Sequence, residues 1–192
     1  QSFVILSNDT RHDTVAVYKG YQKIQNWIQS EVPVVKHVHI VSDGCAAQFK
    51  NRFQFSNIAN HEADKLALTP TGHRKSEVDG INGVLKKQAR EESLRLGDRN
   101  FITSAEGFLK FMETHKTSSS TGRFKAIPLL STSEDLQETN NNEILKQRWA
   151  SAVQIKGTQK FHSFEHDPNS TKHLFVRYFS SSDEFKRVKS CK

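Results

Sequence analysis

The chain is poor in the features that would place it outside the cell or in a membrane. It has two cysteines in 192 residues, Cys45 and Cys191. Two isolated cysteines make neither a disulfide framework nor a paired-thiolate zinc motif. A reducing, intracellular compartment is the simpler expectation. No apolar run approaches the length needed to span a bilayer. The opening Phe3-Val4-Ile5-Leu6 run is too short for the apolar region of a signal peptide. The first residue is Gln1 and not Met, and a strand-like run follows at once, which points to a piece of a longer protein. Acidic residues are in deficit, 21 Asp+Glu against 28 Lys+Arg, a formal charge of +7. A surplus of positive charge suits a polyanion, most simply nucleic acid. The cations are spread along the chain and form no single arm. No internal repeat is present.

Thirteen phenylalanines and several Val/Ile clusters supply a core. Ser2 to Ser7 reads as a buried strand. Asp13 or Thr14 caps a following helix whose apolar face is Val17, Tyr21, Ile24 and Ile28, with Pro33 at its exit. Lys36 to Val41 reads as a second strand that delivers Asp43 at its carboxyl end. A helix over 46–60, a short strand at Leu66 to Thr69 and a helix from Val78 to Leu96 follow. Thr103 with Glu106 makes a capping-box pattern for another helix to His115. The Ser/Thr-rich stretch from Thr117 to Gly122 and the polar stretch from Ser131 to Glu143 read as loops or linkers. Strands are favoured between Val153 and Ser180, most clearly from His173 to Phe179. Alternating strands and helices predict an α/β layer, with functional groups at the carboxyl ends of strands. The expected division is a core over 1–115, a polar linker over 116–143 and a small β-rich C-terminal appendage over 144–192.

Hard divalent cations take oxygen ligands. Two of them can clamp the attacking and leaving oxygens of a phosphodiester. Asp43 at a strand end and Asp79 at a helix start are placed for such work. The bland alternatives are a turn at Asp43-Gly44 and a helix cap at Asp79. Glu77 lies near Asp79 as a fallback ligand. Gln48, Lys50 and Asn51 after Asp43, and His73, Arg74 and Lys75 before Asp79, are candidate phosphate contacts or plain surface residues. His162 and His166, four apart, suit zinc only on a helix, and their surroundings read as strand or loop. Cys45 reads as a small packed side chain, and Trp27 and Trp149 read as core.

Several words in the chain resemble one family. Val41-Ser42-Asp43-Gly44-Cys45-Ala46-Ala47-Gln48-Phe49-Lys50-Asn51 resembles the SDG…QFKN signature of transposon-derived, DDE/D-type transposase-like proteins of animal genomes. His73-Arg74-Lys75-Ser76-Glu77-Val78-Asp79-Gly80-Ile81-Asn82-Gly83 is similar to that family's H-G-K-G-x-x-D-G-I-G-G word. Gly157-Thr158-Gln159-Lys160-Phe161-His162-Ser163-Phe164 resembles a third, G-T-x-x-x-H-x-F, and Leu6-Ser7-Asn8-Asp9 through His12-Asp13 also fits. The 35 residues between Asp43 and Asp79 match the spacing of the second and third acidic residues in many transposases and retroviral integrases.

The resemblance implies a ribonuclease-H-like mixed sheet with flanking helices, its N-terminal strands missing here. It implies two-metal cleavage or strand transfer on DNA, with Mg²⁺ or Mn²⁺ held by Asp43, Asp79 and an upstream aspartate absent from this chain. It further implies a DNA partner, a homo-oligomer and a nuclear location, without membrane association. Arg74, Ser76 and Asn82 replace family glycines, and Ala67-Leu68-Thr69-Pro70 departs from the aromatic strand word. Those departures favour an alternative, a domesticated and catalytically inactive DNA- or protein-binding module.

Overall fold

The computed structural model describes residues 2–32, 34–60, 63–69, 77–96, 101–115, 126–179 and 181–192. The first strand, β1 (Ser2–Ser7), coincides with the opening apolar run. Helix α1 (Thr14–Glu31) starts at Asp13, whose carboxylate accepts the Ala16 N–H at 3.0 Å. It stops at Val32 because a residue before proline is pushed out of the α region. Strand β2 (His39–Asp43) ends on the aspartate. Helix α2 (Arg52–Ala59), strand β3 (Lys65–Thr69), helix α3 (Glu77–Leu96) and helix α4 (Ala105–His115) follow. The last third contains β4 (Ala126–Ser131), α5 (Ser133–Asn141), α6 (Glu143–Ser151), β5 (Ser163–Asp167), β6 (Ser170–Arg177) and β7 (Lys186–Lys189).

The architecture is mixed α/β. Strands β1 and β4 form a parallel pair, Ser2 opposite Ala126 and Ser7 opposite Ser131. The second sheet runs β2-β3-β5-β6-β7. Its β2-β3 pair is parallel and its other pairings are antiparallel. Helix α2 lays Phe55, Ile58 and Ala59 against Leu66, Leu68, Phe164, Leu174 and Val176 of this sheet. The Phe55 and Phe164 rings stack with centroids 4.2 Å apart. A second core joins Ile81, Leu85 and Ala89 of α3 and Phe111 and Met112 of α4 to Ala126, Val4 and Leu6. Helix α1 lies elsewhere on β1, with Trp27 edge-on to Phe3 at 5.0 Å.

The structure corrects several sequence expectations. The helix expected over 46–60 begins at Arg52, because the Asn51 side chain accepts the Phe53 and Gln54 N–H groups and holds the preceding residues in turns. The cap of α4 is Ser104, which accepts the Gly107 N–H at 3.0 Å, one residue beyond Thr103. The polar stretch from Ser131 to Glu143, expected as a loop, holds α5. Thr132 and Asp135 form a complete capping box there, and Asn142 both ends α5 and caps α6. The stretch reads as polar because only Leu136 and Thr139 of α5 are buried. The C-terminal strands are not an appendage. Strand β5 pairs with β3, Ala67 opposite Ser163, so residues from both expected units build one sheet.

Candidate functional site

Asp43 closes β2, with its side chain on the exposed side of the strand. Its carboxylate accepts the Cys45 N–H at 3.2 Å, which turns the chain away from the sheet at Gly44. Next to it in register is Thr69, the last residue of β3, whose hydroxyl donates to the Ser42 carbonyl at 3.2 Å. The parallel pair thus brings two strand ends together, and the connection leaving Thr69 is the one that leads to α3. Asp79 sits in the first turn of that helix, exposed. A carboxylate there is stabilised by the positive end of the helix dipole. Asp43 thus lies beside the strand end that precedes this connection, and Asp79 in the helix that follows it. His73, Arg74 and Lys75, expected phosphate contacts, lie outside the described residues, as does the Glu77 side chain.

The residues after Asp43 divide into distinct roles. Gln48 is half-buried and lines a groove beside Phe49, Ile40 and Ile5. The Lys50 ammonium donates to the Gln159 carbonyl at 3.3 Å, and its stem passes close to Gly44. Burial pushes its pKa below the usual lysine value. Lys50 thereby ties the turn after Asp43 to the turn at Gly157, so two separate sequence words meet in space. Asn51 spends its side chain on structure. Its oxygen caps α2, and its amide donates to Thr14 Oγ1 at 2.8 Å and the Ala46 carbonyl at 2.9 Å.

The remaining singled-out residues pack or pair. His162 Nδ1 is 3.1 Å from the Leu68 carbonyl, and His166 Nδ1 is 3.3 Å from that of Asp64. Strand β5 places His166 in a sheet and not on a helix face. Trp149 packs against Phe53 and Tyr18 and donates to Asn57 Oδ1 at 3.0 Å. Cys45 is half-buried and carries a free thiol. Among the described residues, no group of three or more His, Cys, Asp or Glu side chains is arranged to hold a metal ion.

One polar cluster was not anticipated. Glu165 on β5 is bridged by Lys65 at 2.9 Å and Arg177 at 3.2 Å. Burial raises its carboxyl, but the two cations outweigh that and hold it below the usual range. Asp64 beside it accepts the Val38 N–H at 2.6 Å and faces His37 and His166. Period-two alternation places His39 and Asp43 on one side of β2. Nothing in β2 alone announces which residues of β5 and β6 join that surface, because sheet partners are set by tertiary pairing. No curated protein and no solved structure matches this chain. Residues 1–180 match the family described as Domain of unknown function (DUF8701), and the chain belongs to that family.

Proposed function

We propose that this chain is part of a transposon-derived, DNA-processing protein with a ribonuclease-H-like core, whose intact form cleaves or joins phosphodiesters with divalent cations. The observation that supports it is the placement of Asp43 at the carboxyl end of a parallel strand, with Asp79 in the first helical turn after the neighbouring strand. Ligands gather at such strand ends. Both carboxylates are exposed oxygen donors, which suits Mg²⁺ or Mn²⁺. Asp43 and Asp79 would hold the cation, and an upstream aspartate would complete the set. When bound, a cation pair supplies charge stabilisation to the attacking and leaving oxygens. The chain's own contribution is to fix the Asp43 carboxylate. The Cys45 N–H orients Asp43, and the Lys50–Gln159 contact secures the turn behind it.

A second reading is a domesticated binding module without catalysis. It is favoured by Arg74, Ser76 and Asn82 at positions where the transposase-like word has glycine. Mn²⁺ binding followed by electron paramagnetic resonance separates the two. The proposal expects saturable binding that weakens in both Asp43→Asn and Asp79→Asn while the circular dichroism spectrum is kept. A longer form carrying the upstream aspartate should nick DNA with Mg²⁺ or Mn²⁺ and lose that activity in Asp43→Asn. Nicking that survives the substitution would remove Asp43 from the mechanism. Absence of both metal binding and nicking would leave the binding module.

A further inference from the structure

Helices α2, α5 and α6 enclose a pocket of about 350 Å³, and no strand contributes to its lining. That volume lies at the lower end of the roughly 300–1,000 Å³ typical of small-molecule sites. The apolar part of the lining is Phe53, Leu145, Trp149 and Ala150. Phe53 and Trp149 are half-buried, with ring centroids 5.3 Å apart and planes tilted by 43°. Rings in contact sit about 4.5–7 Å apart, so nothing fits between these two, and a planar ligand would lie along them. The Trp149 N–H is engaged by Asn57 at 3.0 Å, which leaves the accessible carbon surface of the indole for stacking.

The polar part of the lining is Arg52, Lys146, Asn140 and Thr139, two cations and no carboxylate. Arg52 opens α2, is exposed, and holds its guanidinium over the Phe53 ring at 4.7 Å from the centroid. A guanidinium held on a ring keeps its N–H groups free to donate to an anion. Among the described residues, no carboxylate pairs with Arg52. Lys146 meets Glu143 at 2.9 Å, but both side chains are largely exposed, 49% and 73%. Exposed pairs of this kind are weak, so Lys146 can turn to another anion. The Thr139 hydroxyl is already engaged, donating to the Asp135 carbonyl at 2.8 Å. Asn140 is half-buried, and its side chain makes no hydrogen bond among the described residues. An amide offers a donor beside an acceptor, the pattern that matches the N6 amino group and N7 of adenine.

We infer that the pocket between α2, α5 and α6 is a nucleotide site, which takes an unpaired adenine nucleotide. The base lies along Trp149 and Leu145 with its edge at Asn140, and the phosphate sits between Arg52 and Lys146. A purely apolar group would leave both cations without a partner, and phosphate alone would leave the aromatic wall uncovered. A phosphorylated phenol ring has no edge atoms for Asn140. The bases of a duplex are stacked on each other, so the ligand is a free nucleotide or a nucleotide of an unpaired strand. The inference uses none of the residues around Asp43 and Asp79 and does not rest on that reading.

Trp149 is one of two tryptophans, so Trp27→Phe isolates its emission, which a stacked base should quench. AMP should quench saturably and bind more tightly than adenosine, inorganic phosphate or phenyl phosphate. Arg52→Gln should weaken AMP roughly tenfold, the size of one charge-assisted hydrogen bond, and leave adenosine unchanged. Asn140→Leu should narrow the preference for AMP over phenyl phosphate. Circular dichroism confirms that each variant folds. A single-stranded dA pentamer that quenches at lower concentration than AMP assigns the site to an unpaired strand, and one that does not assigns it to the free nucleotide. No saturable quenching by AMP or the pentamer at millimolar concentration overturns the site. So does phenyl phosphate binding as tightly as AMP, an equal loss of AMP and adenosine in Arg52→Gln, or a dA·dT hairpin duplex that quenches as well as the pentamer.

Discussion

The Asn51 side chain joins three pieces of backbone. It caps α2, holds the turn at Ala46 and reaches Thr14 at the start of α1. Replacing an N-cap asparagine by alanine costs about 0.5–2 kcal/mol. Asn51→Ala should sit at the upper end, because its amide contacts are lost as well. Urea unfolding followed by circular dichroism measures this, and an unchanged midpoint would show that the turn is held by other contacts. Asp135 is the clearest titrating group. Burial raises its carboxyl, but Lys23, the Thr132 N–H and Lys19 outweigh this and lower it from 3.8 to about 2. A carboxyl depressed in the folded state contributes stability above its unfolded pKa and loses it as pH falls through the folded value. Its contribution should therefore be complete above pH 3.8 and disappear towards about pH 2. The Lys23→Met variant, with its 2.9 Å ion pair removed, should lose less stability across that window than the parent. Parallel pH dependences would remove the pair from acid sensitivity.

Among the elements, α2 and β5 form an apolar joint in the larger core. Phe164 is fully buried and stacked on Phe55. Phe164→Ala should cost about 3–5 kcal/mol, the range for deleting a buried aromatic. Chemical denaturation reads that loss, and a cost below about 1 kcal/mol would mean the joint collapses to fill the space. Sequence showed β1, α1 and the ends that carry Asp43 and Asp79, because apolar runs, a helical apolar face and polar punctuation are local signals. It concealed α5, whose buried apolar contact is reduced to Leu136, although Thr132-x-x-Asp135 spelled out the cap. It placed the α2 start too early, since the apolar Phe49 continues the helical pattern across a turn that Asn51 enforces. Strands β5 and β6 were recognisable as strands but not as neighbours of β3, because alternation reports a strand's faces and says nothing of its partner, and β7 lies beyond the stretch in which strands were expected. For the same reason the ion-pair cluster of Lys65, Glu165 and Arg177 had no signature in any one segment.

At the scale of the whole molecule, the charge of +7 motivates the proposed DNA partner. Many of its cations have acidic neighbours, as Lys19, Lys23, Lys65, Arg177 and Arg187 do. Double-stranded DNA should bind without strong sequence choice. The logarithm of affinity should fall linearly with the logarithm of salt, by roughly 0.9 per phosphate neutralised. Fluorescence anisotropy across a salt series checks it, and no binding at low salt would point to a protein partner. The long-range pairing of the sheets has a further consequence, for synthesis in the cell. Strand β1 waits for Ala126 to 131, and β3 waits for β5 about a hundred residues later. At the usual pace of roughly 5–20 residues per second, β1 is without β4 for on the order of ten seconds after it is made. During that interval Phe3, Val4, Ile5 and Leu6 lack the cover of β4, so the yield of folded protein should depend on chaperone supply and on translation speed between α1 and β4.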